Sequence, residues 1–293
     1  MKKYLSLVTF AHTIFAMPFA FIGFFLAVTT TSYRFDWIKL LLMVLCMVFA
    51  RNSAMAFNRY LDRDIDAKNP RTKVRDIPAG RISPASALTF TIINCSLFII
   101  TTLFINRLCF YLSPVALTVV LGYSATKRFT ALCHLVLGLG LSLAPIGAYL
   151  VVTGAFALLP VFFSLSVLCW VSGFDIIYAL QDEDFDRNEH LHSIPAYLGK
   201  INALRLSSFL HVLSAAFIVT PIFFTVVGWP YYMGIVFFCT MLIYQHRLVK
   251  PNDLSRVNFA FMTTNGIASV VFAVFFLLDR VLTQHQMVFG MHL

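Results

Sequence analysis

Long, continuous apolar runs dominate this chain, and each is close to the ~20 residues that an α-helix needs to cross a bilayer. Because the runs do not alternate apolar with polar residues, they argue against a membrane β-barrel. The pattern predicts an all-α integral membrane protein with a single domain over residues 1–293. We count nine predicted spans, at roughly 7–30, 37–57, 84–105, 108–125, 131–153, 158–180, 203–227, 229–245 and 258–278.

Composition supports the same class of protein. Of the 293 residues, 59% are hydrophobic and 12% are charged, whereas soluble domains carry about 25% charged residues. The first apolar run follows Lys2 and Lys3 and resembles a signal peptide, but it is too long and has no clear cleavage site, so we interpret it as a retained span. The six cysteines lie in or beside spans without a CxxC pair, which indicates neither a disulfide framework nor a zinc site.

The net charge of +9 is distributed unevenly between the predicted loops. With nine spans, 17 of the 22 Lys and Arg residues fall on the side of the N-terminus and of the loops that follow even-numbered spans. The positive-inside rule therefore predicts that these loops face the cytoplasm, in an inner or cytoplasmic membrane. This excess of basic residues on one side either sets the membrane topology or binds anionic membrane lipid. So membrane-buried a chain is not expected to bind nucleic acid.

Acidic residues cluster at two points of the chain. Ten of the 13 lie in the windows 62–76 and 175–189, which follow the second and sixth spans. In the first window Asn58, Asp62 and Asp66 are spaced i, i+4 and i+8, so a continuing helix would project all three from one face. An EF-hand reading of "DRDID" fails, because Ala67 stands where the motif needs Gly and Lys73 where it needs Glu.

The second window repeats the arrangement, with Asp175, Tyr178, Asp182 and Asp186 at i, i+3, i+7 and i+11. Like charges on one stripe repel, and a divalent cation is an economical way to offset them; carboxylate and amide oxygens suit Mg²⁺.

The two windows are also related to each other. Asp62 and Asp182 are 120 residues apart, and so are Asp66 and Asp186. This offset predicts an internal repeat of about four spans, with two ion sites facing each other across a cavity.

Two facing Mg²⁺ ions at a membrane surface suit a diphosphate substrate, whose departing charge they would neutralise. Arg71 and Arg75 follow the first cluster, and Arg grips phosphate oxygens bidentately. Tyr123 and Lys127 end the fourth span on one helical face. A diphosphate head at a membrane points to a lipid substrate, a polyprenyl diphosphate.

Three motifs resemble those of the UbiA superfamily of intramembrane aromatic prenyltransferases. "NRYLDRDID" is similar to N-x3-D-x3-D, "DIIYALQDEDFD" to D-x2-Y-A-x2-D-x3-D, and "YSATK" to Y-x3-K at the end of the fourth span. The resemblance implies nine helices around a central cavity, with two four-helix pseudo-repeats. It implies one Mg²⁺ on Asn58, Asp62 and Asp66 and another on Asp182 and Asp186. The implied diphosphate contacts are Arg71, Arg75, Tyr123, Lys127 and Tyr178.

The second motif looks like that of the 4-hydroxybenzoate polyprenyltransferase branch. This chain departs from that branch at His192, where Lys is usual, and at Asp76, where Pro is usual. "AMAFNR" and "LHSIP" instead resemble sequences of the futalosine route to menaquinone, whose acceptor is 1,4-dihydroxy-6-naphthoate. Both aromatic acids therefore stand as acceptors, for ubiquinone or menaquinone biosynthesis.

The implied reaction is ionisation of the allylic C–O bond, attack by the aromatic ring and loss of the ring proton, with Asp62, Asp182 and Asp175 as catalytic residues. Asp175 lies deeper than the metal ligands, where an ionisable group is a functional candidate by default. It would orient the acceptor, take the proton, or serve as a structural Asp bonded to a neighbouring helix. Arg51, also within a span, would bind the acceptor carboxylate or pair with an internal carboxylate such as Asp175. We interpret His134 as a packed, hydrogen-bonded histidine.

Two other functions are compatible with these patterns. A membrane transporter with a cytoplasmic ion-binding cavity would use a repeat and intramembrane charges, although it predicts charges near the bilayer midplane. A related enzyme with another acceptor, such as a haem O synthase, is the second alternative. Prenyl chain length and oligomeric state leave no pattern in the sequence.

Overall fold

The structure is a computed structural model that describes residues 15–290, with side chains described as far as Thr283. Part of the predicted first span, residues 7–14, lies outside the described residues, as does the segment interpreted as a retained signal-like start. Within the described range all regular elements are helical, which confirms the predicted fold class. The described residues form twelve α-helices, in chain order α1 (Met17–Thr30), α2 (Trp37–Leu61), α3 (Arg63–Lys68), α4 (Pro84–Leu103), α5 (Arg107–Thr126), α6 (Cys133–Thr153), α7 (Leu158–Ala179), α8 (Glu183–Asn188), α9 (Ile194–Val219), α10 (Trp229–Leu248), α11 (Val257–Phe259) and α12 (Asn265–Gly290).

Seven segments of the described chain are long and apolar enough to cross a membrane, and the chain is an integral membrane protein. The predicted count of nine is not confirmed. α1 is apolar but has only 14 residues in the described range, and α10 is not among the seven. The seventh predicted span was placed at 203–227, whereas α9 begins at Ile194 and passes through a kink at Gly199, which has a φ of 73°.

The helix boundaries follow local signals in the sequence. Asp36 caps α2 by accepting a hydrogen bond from the Ile38 amide at 2.8 Å, and Ser83 and Ser193 do the same for α4 and α9. These short polar side chains satisfy amide groups that have no partner inside the helix. α6 ends at Gly154, whose φ of 65° is the left-handed conformation typical of a helix C-terminus.

α7 lies at the centre of the bundle and is buried on nearly all sides, with Trp170 and Phe174 among its largest buried side chains. Two glycines allow its neighbours to come close. A Cβ at Gly138 of α6 would lie 2.5 Å from the Leu168 carbonyl oxygen, and one at Gly173 would lie 2.3 Å from the His211 ring of α9. Small residues at such crossings are a general device of membrane helix packing. α7 is therefore held firmly between α6 and α9.

The chain has similar backbone angles at the two aspartates that precede α3 and α8. Asp62 directly follows α2 and has φ −88° and ψ 6°, whereas Asp182 ends a short 3-10 helix after α7, Leu180–Asp182, and has φ −103° and ψ 5°. Each residue begins a helix of six residues, α3 or α8, which carries Asp66 or Asp186. This matching local geometry agrees with the two pseudo-repeats, which stay a prediction.

Candidate active site

A cavity of about 680 Å³ is enclosed by α2, α4, α5, α6 and α7 together with the loop after α3. The stripes predicted from the sequence converge on it, because α2 and α7 bring their polar ends to the same end of the bundle. Asp186 is the exception, since it is fully buried and does not line the cavity. The other predicted site residues all line it: Arg51, Asn58, Asp62, Asp66, Arg71, Arg75, Tyr123, Lys127, Asp175, Tyr178 and Asp182.

In the first cluster each aspartate has an arginine partner. Arg75 Nη1 donates to both carboxylate oxygens of Asp66, at 2.7 and 2.9 Å. Arg128 Nη2 lies 3.0 Å from Asp62 Oδ1 and also donates to the Leu61 carbonyl oxygen. Asn58 Nδ2 donates to the other oxygen of Asp62 at 2.9 Å. The three predicted ligands of one metal ion are therefore neighbours on a single wall.

The second cluster is paired in the same manner. Arg71 holds Asp182 through Nε at 3.0 Å and Nη2 at 2.5 Å. Asn69 adds a hydrogen bond to Asp182 Oδ1 at 3.1 Å. Lys127 Nζ lies 2.6 Å from Asp186 Oδ1. These pairs cross between the two halves of the chain, because the basic residues come from the loop after α3 and the end of α5.

Like-charge repulsion within the stripes is thus offset by four basic side chains of the chain itself. Three of the four, Arg71, Arg75 and Lys127, are predicted diphosphate contacts. From the sequence, no role in the site was assigned to the fourth, Arg128, or to Asn69. Their positions beside Lys127 and Arg71 in the chain were the available signal.

Burial and ion pairing shift the pKa of two side chains outside the membrane spans, Asp62 and Arg71. Burial raises the pKa of Asp62 to about 6, and Arg128 opposes this rise. For Arg71 burial lowers the pKa, but the hydrogen bond and charge of Asp182 outweigh burial and leave it above its ordinary value. A cation that binds at Asp62 must therefore compete with a proton near pH 6, whereas Arg71 stays charged.

The carboxylate and amide oxygens of these clusters suit a Mg²⁺ ion that takes its remaining ligands from water or from a bound phosphate. Among the residues that the structure describes, no group of three or more His, Cys, Asp or Glu side chains converges as a closed metal site. Mg²⁺ commonly takes only one or two carboxylates from the protein and its remaining oxygens from water and phosphate. The paired carboxylates with Asn58 fit that open arrangement.

Deeper in the cavity Asp175 is bonded to a neighbouring helix. His134 Nδ1 of α6 lies 2.6 Å from Asp175 Oδ2, and the Ile194 amide donates to His134 Nε2 at 3.3 Å. The interpretation of His134 as a packed, hydrogen-bonded histidine agrees with this geometry, although its partner was not predicted. Arg51 lines the same region, and its Nη2 lies 3.2 Å from the Met55 sulfur.

Aromatic rings line the cavity beside its charged end. Tyr178 accepts a hydrogen bond from Arg71 Nη1 at 2.9 Å and packs against Phe261 with tilted rings, whose centroids lie 4.2 Å apart. Phe174 meets Phe261 edge-on at 5.4 Å. Much of the remaining wall is apolar and is formed by residues of α5 and α6 such as Val119 and Leu141. The cavity therefore combines a charged end, its mouth, with aromatic rings and an apolar chamber.

Comparison with known proteins defines the class of protein to which this fold and site belong. The model of the UbiA prenyltransferase family matches residues 16–274. The chain belongs to the UbiA prenyltransferase family and is an enzyme of the prenyltransferase class.

Relatives within this class are similar over most of their length. The chain is 30% identical over 251 residues to the 4-hydroxybenzoate octaprenyltransferase of Aliivibrio fischeri strain MJ11, covering 81% of this chain and 82% of that protein. It is 29% identical over 237 residues to the enzyme of the same name from Nitrosospira multiformis, covering 80% of each.

Solved structures agree with the fold. The apo structure of a UbiA homologue from Aeropyrum pernix K1 superposes with a TM-score of 0.83 at 30% identity, over 92% of this chain and 98% of that one. A UbiA homologue from Archaeoglobus fulgidus, bound to GPP and Mg²⁺, has a TM-score of 0.72 at 20% identity, over 95% of this chain and 99% of that one.

Proposed function

We propose that this enzyme transfers a polyprenyl group from polyprenyl diphosphate to an aromatic acid in quinone biosynthesis and releases diphosphate. The acceptor is 4-hydroxybenzoate or a hydroxynaphthoate such as 1,4-dihydroxy-6-naphthoate. The observation that carries the proposal is the cavity, which joins two aspartate clusters and their basic partners to an apolar chamber. Such a cavity suits a substrate with a diphosphate head and a long hydrocarbon tail.

In this proposal Asn58, Asp62 and Asp66 hold one Mg²⁺, while Asp182 and Asp186 hold the other. When bound, the ions supply neutralisation of the charge on the leaving diphosphate. The binding of GPP and Mg²⁺ by a protein of the same fold supports this assignment. Asp186 would join the site by releasing Lys127 to the phosphate, since Lys127 itself lines the cavity.

The basic residues bind the diphosphate and orient it. Arg71, Arg75 and Lys127 now face carboxylates at 2.5–3.0 Å, and phosphate oxygens would accept the same donors in their place. Tyr178 and Tyr123 add phenolic donors beside them. Holding the leaving group in line with the acceptor lowers the barrier by positioning and by electrostatic stabilisation.

Arg51 binds the carboxylate that both candidate acceptors carry. It lines the cavity on α2, two helical turns before Asn58, and this position supports an acceptor that lies on the membrane side of the diphosphate. Phe174, Tyr178 and Phe261 present aromatic groups between the two substrates, where they stabilise an allylic cation and exclude water. The two relatives named as 4-hydroxybenzoate octaprenyltransferases support a benzoate acceptor; "LHSIP" supports the naphthoate.

The aspartate-rich loops face the cytoplasm in this proposal, because most basic residues lie on their side. Cysteine labelling tests the orientation in intact cells. A membrane-impermeant thiol reagent should label Arg34→Cys from outside and Asp64→Cys only after the membrane is permeabilised. The reverse pattern would contradict the orientation while leaving the reaction untouched.

The activity is tested with detergent-purified protein, radiolabelled polyprenyl diphosphate and Mg²⁺, with 4-hydroxybenzoate and the naphthoate offered in parallel. We expect product with one of the two acceptors. Product formation should be lost when EDTA is added and in the variants Asp62→Asn and Asp182→Asn. Asp64→Asn is the matched control, because Asp64 lies two residues after Asp62 on the short helix α3 with its side chain 82% exposed, and this variant should retain activity.

The other outcomes separate the alternatives. Diphosphate release with haem as the competing acceptor would identify a haem prenyltransferase. Absence of any Mg²⁺-dependent diphosphate release would contradict the enzyme assignment and favour a transporter.

A further inference from the structure

We propose that Asp175 accepts the ring proton of the acceptor and that His134 is the positioning residue that holds its carboxylate for this step. The inference rests on the proposed function and adds to it the group that completes the reaction. It is carried by the contacts of Asp175, which differ from those of every other carboxylate in the described cavity wall.

Four carboxylates line the described cavity, and three of them are ion-paired. Asp62, Asp66 and Asp182 face Arg128, Arg75 and Arg71, respectively. Both oxygens of each of these carboxylates already accept a hydrogen bond, so none of the three offers an unoccupied oxygen to a substrate proton. Those three also lie at the charged mouth, with the diphosphate rather than the acceptor ring.

Asp175 has an imidazole as its partner instead. The Ile194 amide donates to Nε2 of His134, so Nε2 must offer a lone pair and the ring proton resides on Nδ1. Nδ1–H therefore donates to Asp175 Oδ2 at 2.6 Å. The Asp175 carboxylate is therefore oriented through Oδ2 by the imidazole N–H, and its Oδ1 stays available for a substrate.

Burial matches the two roles. The His134 side chain is 4% exposed and that of Asp175 is 21% exposed, so the carboxylate is the more open of the two, although both line the cavity. His134 is tied to α9 through Ile194, while Asp175 belongs to α7. The pair therefore sits on three packed helices, which suits a group that must stay in place during reaction.

The position along the cavity matches the chemistry. Asp175 lies one helical turn before Tyr178, and Phe174 precedes it, so it stands among the aromatic side chains of the cavity wall, where the allylic cation and the acceptor ring would meet. Arg51 lines the same cavity and would hold the acceptor carboxylate.

In the proposed step the C1–O bond of the prenyl diphosphate breaks, and its electron pair leaves with diphosphate. Ring π electrons form the new bond between C1 and the ring carbon beside the hydroxyl. The C–H electron pair at that carbon returns to the ring, and the proton passes to Asp175 Oδ1.

The test separates ionisation from proton removal. Ionisation is monitored with a heavy-oxygen label, which moves from the bridging to the non-bridging positions of the polyprenyl diphosphate when the C–O bond breaks and re-forms. Proton removal is monitored through the kinetic isotope effect on product formation, measured with ring-deuterated 4-hydroxybenzoate or, if the naphthoate is the acceptor, with the ring-deuterated naphthoate. Wild-type enzyme should show an isotope effect near unity.

Asp175→Asn should lower product formation about 100-fold or more, the usual contribution of a general base, while label movement continues. His134→Leu should produce a clear primary isotope effect, because proton removal becomes slow. His134→Asn, whose amide N–H replaces Nδ1–H, should restore a value near unity. If the Leu variant does not fold, His134→Gln replaces it in the test. The glutamine amide would lie near the position of the histidine Nε2 and not of Nδ1, so it would not restore the hydrogen bond to Asp175.

Two results would overturn the inference: His134 variants with wild-type rate and isotope effect, or an Asp175→Asn variant that loses label movement as completely as product. Wild-type enzyme that prenylates neither acceptor would instead defeat the proposed function itself.

Discussion

Arg71 and Asp182 form a bidentate pair although 111 residues separate them in the chain. The arginine belongs to the loop after α3, and the aspartate lies at the end of α7, so this pair joins the two halves of the chain over the mouth of the cavity. Arg71 also lies over the ring of Tyr178, at 5.1 Å from its centroid. A diphosphate that entered the mouth would meet Arg71 at this junction.

Arg71→Ala should raise the KM for polyprenyl diphosphate about 10- to 100-fold, because hydrogen bonds to charged groups contribute ~1.5–3 kcal/mol each. Arg71→Lys should recover only part of this, since a lysine cannot replace a planar bidentate donor. Lys68→Ala is the matched control: Lys68 also joins the two loops, through Glu189 at 2.6 Å, but it is exposed and does not line the cavity. Equal KM values for Arg71→Ala and Lys68→Ala would contradict the role of Arg71.

Arg75→Ala should destabilise the protein by about 2 kcal/mol, because it leaves the buried Asp66 carboxylate without its partner. The double variant Arg75→Ala/Asp66→Asn should regain most of that stability, since an amide carries no charge. It should remain inactive if both residues serve the substrate. Thermal unfolding in detergent and the prenyl-transfer assay, applied to the same four proteins of the cycle, give the two measurements.

Gly138→Ala should destabilise the packing of α6 on α7 by about 1–3 kcal/mol, because its new Cβ would lie 2.3 Å from Ser172 Oγ and 2.5 Å from a backbone oxygen. Gly122→Ala is the control, since nothing lies within 4 Å of a Cβ there and alanine is the better helix former. Unfolding temperatures should fall for the first variant and stay level or rise for the second. A fall in both would show that the close approach of α6 and α7 is not the cause.

Asp279→Ala should cost about 3–5 kcal/mol without changing the KM of any substrate. Asp279 is fully buried in α12, pairs with Arg280 and accepts the Gly228 amide at 2.6 Å. Neither Asp279 nor Arg280 lines the cavity, so the loss should be confined to stability. A raised KM in folded protein would mean that this end of the bundle shapes the substrate chamber.

The outcome for the second cluster shows where sequence reasoning reached its limit. The helical spacing placed Asp182 and Asp186 on one stripe, and the same local geometry at Asp62 and Asp182 agrees with that reasoning. Yet Asp182 lines the cavity and Asp186 is buried against Lys127. Which carboxylate faces a cavity depends on how α8 packs, and α8 is only six residues long.

The sequence by itself determined the class of fold and the two polar stripes, because both depend on local periodicity. A bilayer demands runs of apolar residues, and residues four apart share a helical face wherever the helix lies. Only the tertiary structure decided the partners: Arg128 for Asp62, Arg71 for Asp182 and His134 for Asp175. These contacts join residues 41 to 111 positions apart, and their existence depends on how the helices cross, which no local pattern encodes.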